Sequence, residues 1–186
     1  ESLALNVSNA EVLSHPVRDV KPDVLRPIMQ AARQQKRLDC DYVSLNHPDR
    51  EGRIIVPHTL VYTGLRWHVR AWCEKNQEYR DFVLSRFRDT PDIMDESEHG
   101  AADDTEYNTE VTIRITPDPR LTPAQQEVIE IDYGMQGGAL CITTRGKLVS
   151  YALKLLHVNP REQLADPMAQ QIIVANRDEL EPWLFG

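Results

Sequence analysis

The chain has 186 residues, a mass of 21.3 kDa and a formal net charge of −8, which argues against a protein that binds nucleic acid over its whole surface. Its three cysteines are far apart and form no CxxC pair, so they indicate neither a disulfide framework nor a zinc ribbon. No apolar run approaches the roughly 20 residues of a membrane-spanning helix, residues 1–9 lack the features of a signal peptide, and a reducing cytoplasm is the expected compartment.

The charges are unevenly distributed along the chain. Residues 33–90 contain eleven Lys and Arg against eight Asp and Glu, whereas residues 91–110 contain eight acidic residues and neither Lys nor Arg. The acidity is therefore concentrated in an expected linker at residues 91–106, and the segment before it is mildly basic.

The first elements follow from breakers and apolar spacing. Residues 1–22 are weakly patterned and are expected to form a tether, and a chain that starts without methionine is expected to be a fragment of a longer protein. Asp23 is expected to cap a helix over about residues 24–35. Four residues give that helix one apolar face: Leu25, Ile28, Met29 and Ala32.

Strands are predicted next. Residues 37–45 form a first candidate, and three more apolar runs, each interrupted by Arg or His, fill residues 53–88. In the middle run the apolar face is Trp67, Val69 and Ala71, and the opposite face is His68, Arg70 and Trp72. Trp67 and Phe82 are assigned to the core. The pattern predicts three antiparallel strands of a small, strongly curved sheet or barrel, with an anion site near one open side.

The remaining chain, residues 107–186, alternates strands and helices. This order is typical of a small α+β domain. The predicted elements are a strand at 110–116, a helix opened by Thr122-Pro123 and running to about 131, a strand at 139–144, a helix at 147–157 and a strand at 171–175.

Motifs for catalysis or metal binding are weak. The spacings between His47, His58 and His68 are eleven and ten residues, which match no common ligand pattern. The Arg145–Lys147 stretch lacks the glycine spacing of a phosphate-binding loop. We therefore expect no metal, no cofactor and no enzymatic activity.

The arginines are the strongest functional signal. Guanidinium groups suit phosphate because they present a planar donor fork that stays charged. Each arginine alone is most simply a solvated, ion-paired residue, but Arg80 and Arg86 recur on one face of a predicted strand. Six strand residues span about 20 Å, so these two could hold one phosphate only if the strand bends sharply. Otherwise the ligand is extended, such as a short oligonucleotide.

Several spaced motifs resemble a known family. The run Trp67–Cys73 and the run Tyr79–Phe87 resemble the core of a WYL domain, an Sm-like or SH3-like barrel of bacterial transcription regulators, although the naming triplet Trp-Tyr-Leu is Trp-His-Val here. Further segments are similar to the branch of WYL regulators that lies beside phage-defence operons: Pro57-His58, Val61-Tyr62, Leu121–Gln126 and Glu130–Met135. The resemblance covers roughly residues 24–180.

The resemblance implies an α+β chain with a WYL barrel at 23–90 and a dimerisation domain at 107–186. It also implies a winged-helix DNA-binding domain before residue 1 and a homodimer that binds operator DNA, most simply as a repressor. WYL ligand contacts map to matching basic positions, and Ser44, His58 and Tyr62 could hydrogen-bond to a base or ribose or stack on it. The expected ligand is a nucleotide or short nucleic acid, and its expected site is Ser44, His58, Tyr62, Arg66, Arg70, Arg80 and Arg86.

Two other functions stay open at this point. In one, the barrel is a ligand-free structural bridge between the DNA-binding and dimerisation domains. In the other, the module is a hydrolase that acts on nucleic acid.

Overall fold

A helix and a five-stranded antiparallel sheet form the N-terminal half of the computed structural model, which describes residue 16 and residues 18–185. The strand order is β4-β3-β2-β1-β5. The elements are α1 (Pro22–Gln34), β1 (Lys36–Tyr42), β2 (Glu51–Tyr62), β3 (Trp67–Cys73), β4 (Glu78–Val83) and β5 (Asp92–Glu96).

Helix α1 covers one face of this sheet. It begins with Pro22, whose fixed φ suits a first helical position. Lys21 is the N-cap residue and makes no side-chain cap, so the predicted Asp23 cap is wrong; Asp23 lies in the first turn, where a carboxylate suits the helix dipole. The helix buries Val24, Ile28 and Ala31 in the core of the sheet. Of the predicted apolar face only Ile28 is fully buried, and Leu25, Met29 and Ala32 are half-buried, so the buried face is rotated from the predicted one.

The α+β class is confirmed, and of the predicted curved sheet or barrel the structure has an open sheet. Strand β4 ends at Val83, and a 3-10 turn over Leu84–Arg86 bends the chain back towards β1. There, the Val43 N–H donates to the Arg86 carbonyl at 3.2 Å. The edge strands β4 and β5 do not pair with each other. Phe82 is buried as expected, whereas Trp67 is 42% exposed and does not belong to the core.

The segment expected to be an acidic linker has secondary structure of its own. Strand β5 pairs with β1 and places Ile93 opposite Leu38. A 3-10 turn follows at Ala101–Asp103, and α2 (Thr105–Asn108) begins with Asp104 as its N-cap, whose carboxylate accepts from the Tyr107 N–H at 3.1 Å. The segment thus widens the sheet and fixes the position of Asp104.

The C-terminal half has the predicted β-α-β-α-β order. Its antiparallel sheet has the order β7-β6-β8, and the helices cover a core that includes Ile113, Ile115 and Leu153. The elements are β6 (Glu110–Pro117), α3 (Pro123–Asp132), β7 (Leu140–Arg145), α4 (Val149–Leu155), β8 (Ile172–Val174) and α5 (Arg177–Leu180).

Helix α3 begins with a capping box formed by Thr122 and Gln125. The Thr122 hydroxyl accepts from the Gln125 N–H at 3.4 Å, and the Gln125 side chain accepts from the Thr122 N–H at 2.9 Å. We expect Thr122→Ala to lower the free energy of unfolding by about 1 kcal/mol, because the Gln125 N–H loses its hydroxyl acceptor while the bond from the residue-122 N–H to the Gln125 side chain can remain. Urea denaturation measures the change. Thr122→Ser is the control and should be close to wild type; an Ala variant as stable as the Ser variant would refute the cap.

Candidate anion-binding cavity and domain junction

The structure distributes the seven predicted site residues over three places. Ser44, Arg80 and Arg86 line one cavity in the N-terminal sheet. His58 and Arg70 lie in a buried network at the junction with the C-terminal half. Tyr62 and Arg66 lie beside a second, apolar cavity near α1.

The first cavity has a volume of about 440 Å³, within the range of small-molecule sites. It exists because of the bend after β4: the 3-10 turn at residues 84–86 returns the chain, so that Arg80 and Arg86 line the same space. Strand geometry allowed two cases for Arg80 and Arg86: a sharp bend that lets both reach one anion, or a straight strand with an extended ligand. The structure has the sharp bend. We call this space the basic cavity.

Three further basic residues line the basic cavity and were not among the predicted site residues: His47, Arg53 and Lys75. Arg53 is only 9% exposed, and its guanidinium donates to Glu51 at 2.7 Å and to Asn76 at 3.0 Å. Its Nε–H is buried and has no hydrogen-bond partner within the described part of the chain. Strand alternation could have identified Arg53 from the sequence. Arg53 lies two residues before the fully buried Ile55, so its side chain is on the same, inward-facing side of the strand.

Charge pairing leaves part of the basic cavity unneutralised. Glu51 accepts from both Arg53 and Lys75. Arg80 is bonded only weakly, to Glu78 at 3.4 Å. Among residues 18–185, the half-buried Arg86 guanidinium forms neither an ion pair nor a side-chain hydrogen bond. Arg80 and Arg86 are therefore the guanidinium groups most available to an anion.

The junction is built on a buried ion pair. Arg70 donates to Asp104 through Nε at 2.7 Å and Nη2 at 3.3 Å, and His58 Nε2 lies 3.2 Å from the same carboxylate. Arg70 is 3% exposed and Asp104 is 1% exposed. Burial alone would raise the pKa of Asp104, but the bonds from His58 and Arg70 outweigh it and hold that pKa well below its usual value. Neither Arg70 nor His58 lines the basic cavity.

A second set of contacts joins β4 to helix α4. The Tyr151 hydroxyl donates to Asp81 at 3.1 Å, and Asp81 also accepts from Arg70 at 3.4 Å. Burial, followed by the nearby Asp81 charge, raises the pKa of Tyr151 to about 12. The Tyr151 ring stacks on His68 with centroids 5.0 Å apart. The phenol therefore stays neutral and remains a donor at any physiological pH.

His68 occupies the tyrosine position of the Trp-Tyr-Leu triplet and is fully buried. Within the described residues both of its ring nitrogens lack a hydrogen-bond partner, although Asp81 lies 3.7 Å from Nε2. Burial lowers the pKa of His68, and Asp81 opposes this only in part. The ring is thus held neutral at neutral pH, where it acts as a flat packing surface for Tyr151.

The apolar cavity has a volume of about 590 Å³ and is lined by residues of α1 and of the β2–β3 turn. Tyr62 and Trp67 lie there with ring centroids 5.1 Å apart, and both are partly exposed. The structure therefore separates Tyr62 and Arg66 from the basic cavity.

Within the described ranges, no group of three or more His, Cys, Asp or Glu side chains is placed to hold a metal ion. The same residues contain no helix that is both long and apolar enough to span a bilayer.

Comparison with known families identifies both halves of the chain. Residues 23–90 match the WYL domain, and residues 110–180 match the C-terminal dimerization domain of the BrxR transcriptional regulator. The chain therefore contains a WYL domain followed by a BrxR-type C-terminal domain, which confirms the predicted resemblance.

Individual relatives carry the same two regions. The chain is 36% identical over 164 residues to the DNA-binding transcriptional repressor CapW of Pseudomonas aeruginosa, covering 88% of this chain and 54% of the relative. It is 31% identical over 173 residues to CapW of Stenotrophomonas maltophilia, covering 93% and 58%. The chain thus spans about half the length of the curated relatives it matches. Their names describe transcription regulators and not enzymes, in agreement with the expectation from the sequence.

Two solved structures are also similar. The proteasome accessory factor B/C of Arthrobacter aurescens aligns with a TM-score of 0.41 and 14% identity, over 96% of this chain and 29% of that one. A CRISPR Cas-related protein aligns with a TM-score of 0.38 and 8% identity, over 87% and 48%.

The junction makes a stability prediction. We expect Arg70→Met or Asp104→Leu alone to lower the free energy of unfolding by about 3–5 kcal/mol, because each leaves a buried charge without its partner. The double variant should lose less than the sum of the two single variants, since it leaves neither charge of the pair unpaired and keeps only the loss of the α2 cap and of the Arg70–Asp81 bond. Urea denaturation of all three provides the values.

Arg80→Met is the matched control for this comparison. The Arg80 side chain is 47% exposed and pairs loosely with Glu78, so its effect should stay within about 0.5 kcal/mol. A double variant as unstable as the sum of the two single variants would show that Arg70 and Asp104 act independently.

His68 makes a prediction about pH. Burial lowers the pKa of His68 in the folded chain below the pKa of a histidine in the unfolded chain, which is about 6.5. The unfolded chain therefore binds this proton first, and stability should fall as the pH falls through about 6.5. In His68→Phe, which keeps a ring against Tyr151, unfolding free energies at pH 7.5 and 5.5 should differ less than in wild type. His47→Gln, at an exposed position, is the control and should show the same difference in unfolding free energy between the two pH values as wild type. If His68→Phe also shows the wild-type difference, His68 is not the source of the pH dependence.

Proposed function

We propose that this chain is the ligand-sensing and dimerisation region of a DNA-binding transcriptional repressor, and that a nucleotide or short nucleic acid binds in the basic cavity. The observation that supports this most is the convergence of Arg53, Arg80 and Arg86 on one space, with the Arg86 guanidinium unpaired among the described residues.

The chemistry of the basic cavity favours a phosphate-bearing ligand. Five basic residues line it against two acidic ones, Glu51 and Asp81, and Glu51 is already occupied by two cations. Guanidinium groups bind phosphate through two parallel bonds, which gives both direction and strength. Ser44 and Asn46, on the same rim, offer neutral donors and acceptors for a sugar or base.

Strand β4 supplies a physical route from the ligand to the C-terminal domain. Arg80, Asp81 and Phe82 of this strand line the basic cavity, and Asp81 also binds Arg70 and Tyr151 at the junction. A ligand that shifts β4 would change the contact with α4. Such coupling requires the ligand to bind one dimer geometry more tightly than the other, since equal affinity shifts nothing.

The rest of the proposal concerns the whole protein. Relatives of about twice the aligned length are named DNA-binding transcriptional repressors, and residues 110–180 match a dimerization domain. These findings support a homodimer that binds operator DNA; the winged-helix domain and the cytoplasmic location belong to the proposal through the family resemblance of the sequence. Control of a phage-defence operon follows from the family resemblance of the sequence motifs.

One observation favours a second function, a ligand-free structural bridge. Glu51 pairs with both Arg53 and Lys75, and Arg70 is committed to the junction. If Arg80 and Arg86 were simply solvated, the N-terminal sheet would serve only to hold neighbouring domains together.

Binding of a labelled single-stranded oligonucleotide, and in parallel of a nucleoside monophosphate, tests the two functions. Wild type should bind at least one of them with an affinity that falls as salt rises, because phosphate contacts displace counterions. Arg86→Ala should weaken binding roughly 10-fold or more through loss of one charge-assisted contact. The readouts are fluorescence anisotropy and calorimetry.

Arg33→Ala is the matched control, since Arg33 is an exposed arginine of α1 that does not line the basic cavity. It should bind as wild type does. Equal losses in both variants would indicate nonspecific electrostatics, and no binding of either probe to wild type would favour the ligand-free bridge.

A further inference from the structure

Helix α3 is apolar on two sides, and only one side is covered. The inner side buries Ile129 in the core of the C-terminal half. On the outer side Ala124, Val128 and Ile131 recur at i, i+4 and i+7, the spacing of a helix-packing face. Val128 is 55% exposed and Ile131 is 73% exposed. Exposure of three aligned apolar residues on one helix has no benefit for an isolated subunit.

The patch extends beyond the helix. The Gln125 side chain reaches the Met168 sulfur at 3.5 Å, and Met168 is 51% exposed. A flexible thioether therefore lies beside the outer stripe of α3 and adds adaptable apolar surface to it.

The order of side-chain sizes points to a particular partner. Ala124 is small, Ile131 is large and Val128 lies close to the midpoint between them. If two copies of α3 pack antiparallel about a two-fold axis, Ala124 lies opposite Ile131 of the partner subunit and the two Val128 side chains meet near the axis. Large side chains then face small ones, as close packing requires.

The terminal charges of α3 favour this pairing, whereas Glu127, which adjoins Val128, would lie near its own copy in the partner subunit. The helix has no acidic residue in its first turn and no basic residue in its last turn, while Glu130 and Asp132 lie at its C-terminal end. This arrangement is unfavourable to the dipole of the helix itself. In an antiparallel pair, the acidic end of each helix lies beside the N-terminus of the other, where negative charge is stabilised.

We infer that the outer stripe of α3, residues Ala124, Val128 and Ile131, is the two-fold contact through which two copies of this chain dimerise. The inference rests on the proposed homodimer and adds to it the surface that forms the contact, within the region that matches a dimerization domain.

The test is the oligomeric state of the chain by sedimentation equilibrium. Val128→Glu and Ile131→Glu should each raise the dimer dissociation constant roughly 100-fold, because each places two carboxylates in a desolvated contact. Both positions are exposed in the subunit, so circular dichroism and thermal unfolding should match wild type. Leu45→Glu is the matched control, an exposed leucine of the N-terminal half that is 86% exposed, and it should dimerise as wild type does.

A cross-linking experiment fixes the geometry. In a Cys141→Ser background, which removes the exposed cysteine, Val128→Cys should give a covalent dimer with a short bis-maleimide, and Thr143→Cys on the exposed face of β7 should not. If wild type and Val128→Glu are both dimeric and Val128→Cys gives no cross-link, the α3 contact is wrong and the homodimer stands. A wild type that stays monomeric at all concentrations would overturn both.

Discussion

The buried pair between Arg70 and Asp104 determines how the two halves of this chain meet. Asp104 caps α2, and β6 follows immediately, so the carboxylate that neutralises Arg70 also sets where the C-terminal domain begins. Ion pairs of this kind give little net stability, but loss of one partner is costly, and this makes them effective in fixing a single arrangement. The Asp81–Tyr151 bond adds a second point of attachment on the adjacent strand.

The arginines of the N-terminal sheet thereby divide into two groups. Arg70 is buried and fully paired, and it belongs to the architecture. Arg80 and Arg86 lie at the basic cavity, where the bend after β4 brings them together and leaves them weakly paired within the described residues. Strand β4 carries both functions, since Arg80 lines the basic cavity and the neighbouring Asp81 both lines that cavity and bonds to Arg70 and Tyr151 at the junction. The basic cavity and the domain junction thus share one residue, Asp81.

Sequence reasoning predicted the features that depend on local pattern. Apolar alternation gave the antiparallel strands, and Thr122-Pro123 located the start of α3. It missed the features that depend on distant residues. Arg70 and Asp104 are 34 positions apart, so their pairing cannot be read from spacing. Likewise, Leu84 continues the apolar pattern of β4, yet the chain turns there because the return towards β1 buries Leu84 and Phe87.

Hydrogen–deuterium exchange of the wild-type chain, with and without whichever nucleotide probe binds, is the most direct test of a sensor that communicates through β4. The account predicts slower amide exchange on binding in residues 80–88, which line or flank the basic cavity, and a change in residues 149–155 of α4, which contact β4 through Tyr151. Protection confined to residues 60–67 beside the apolar cavity, or protection at 80–88 without any change in α4, would contradict it.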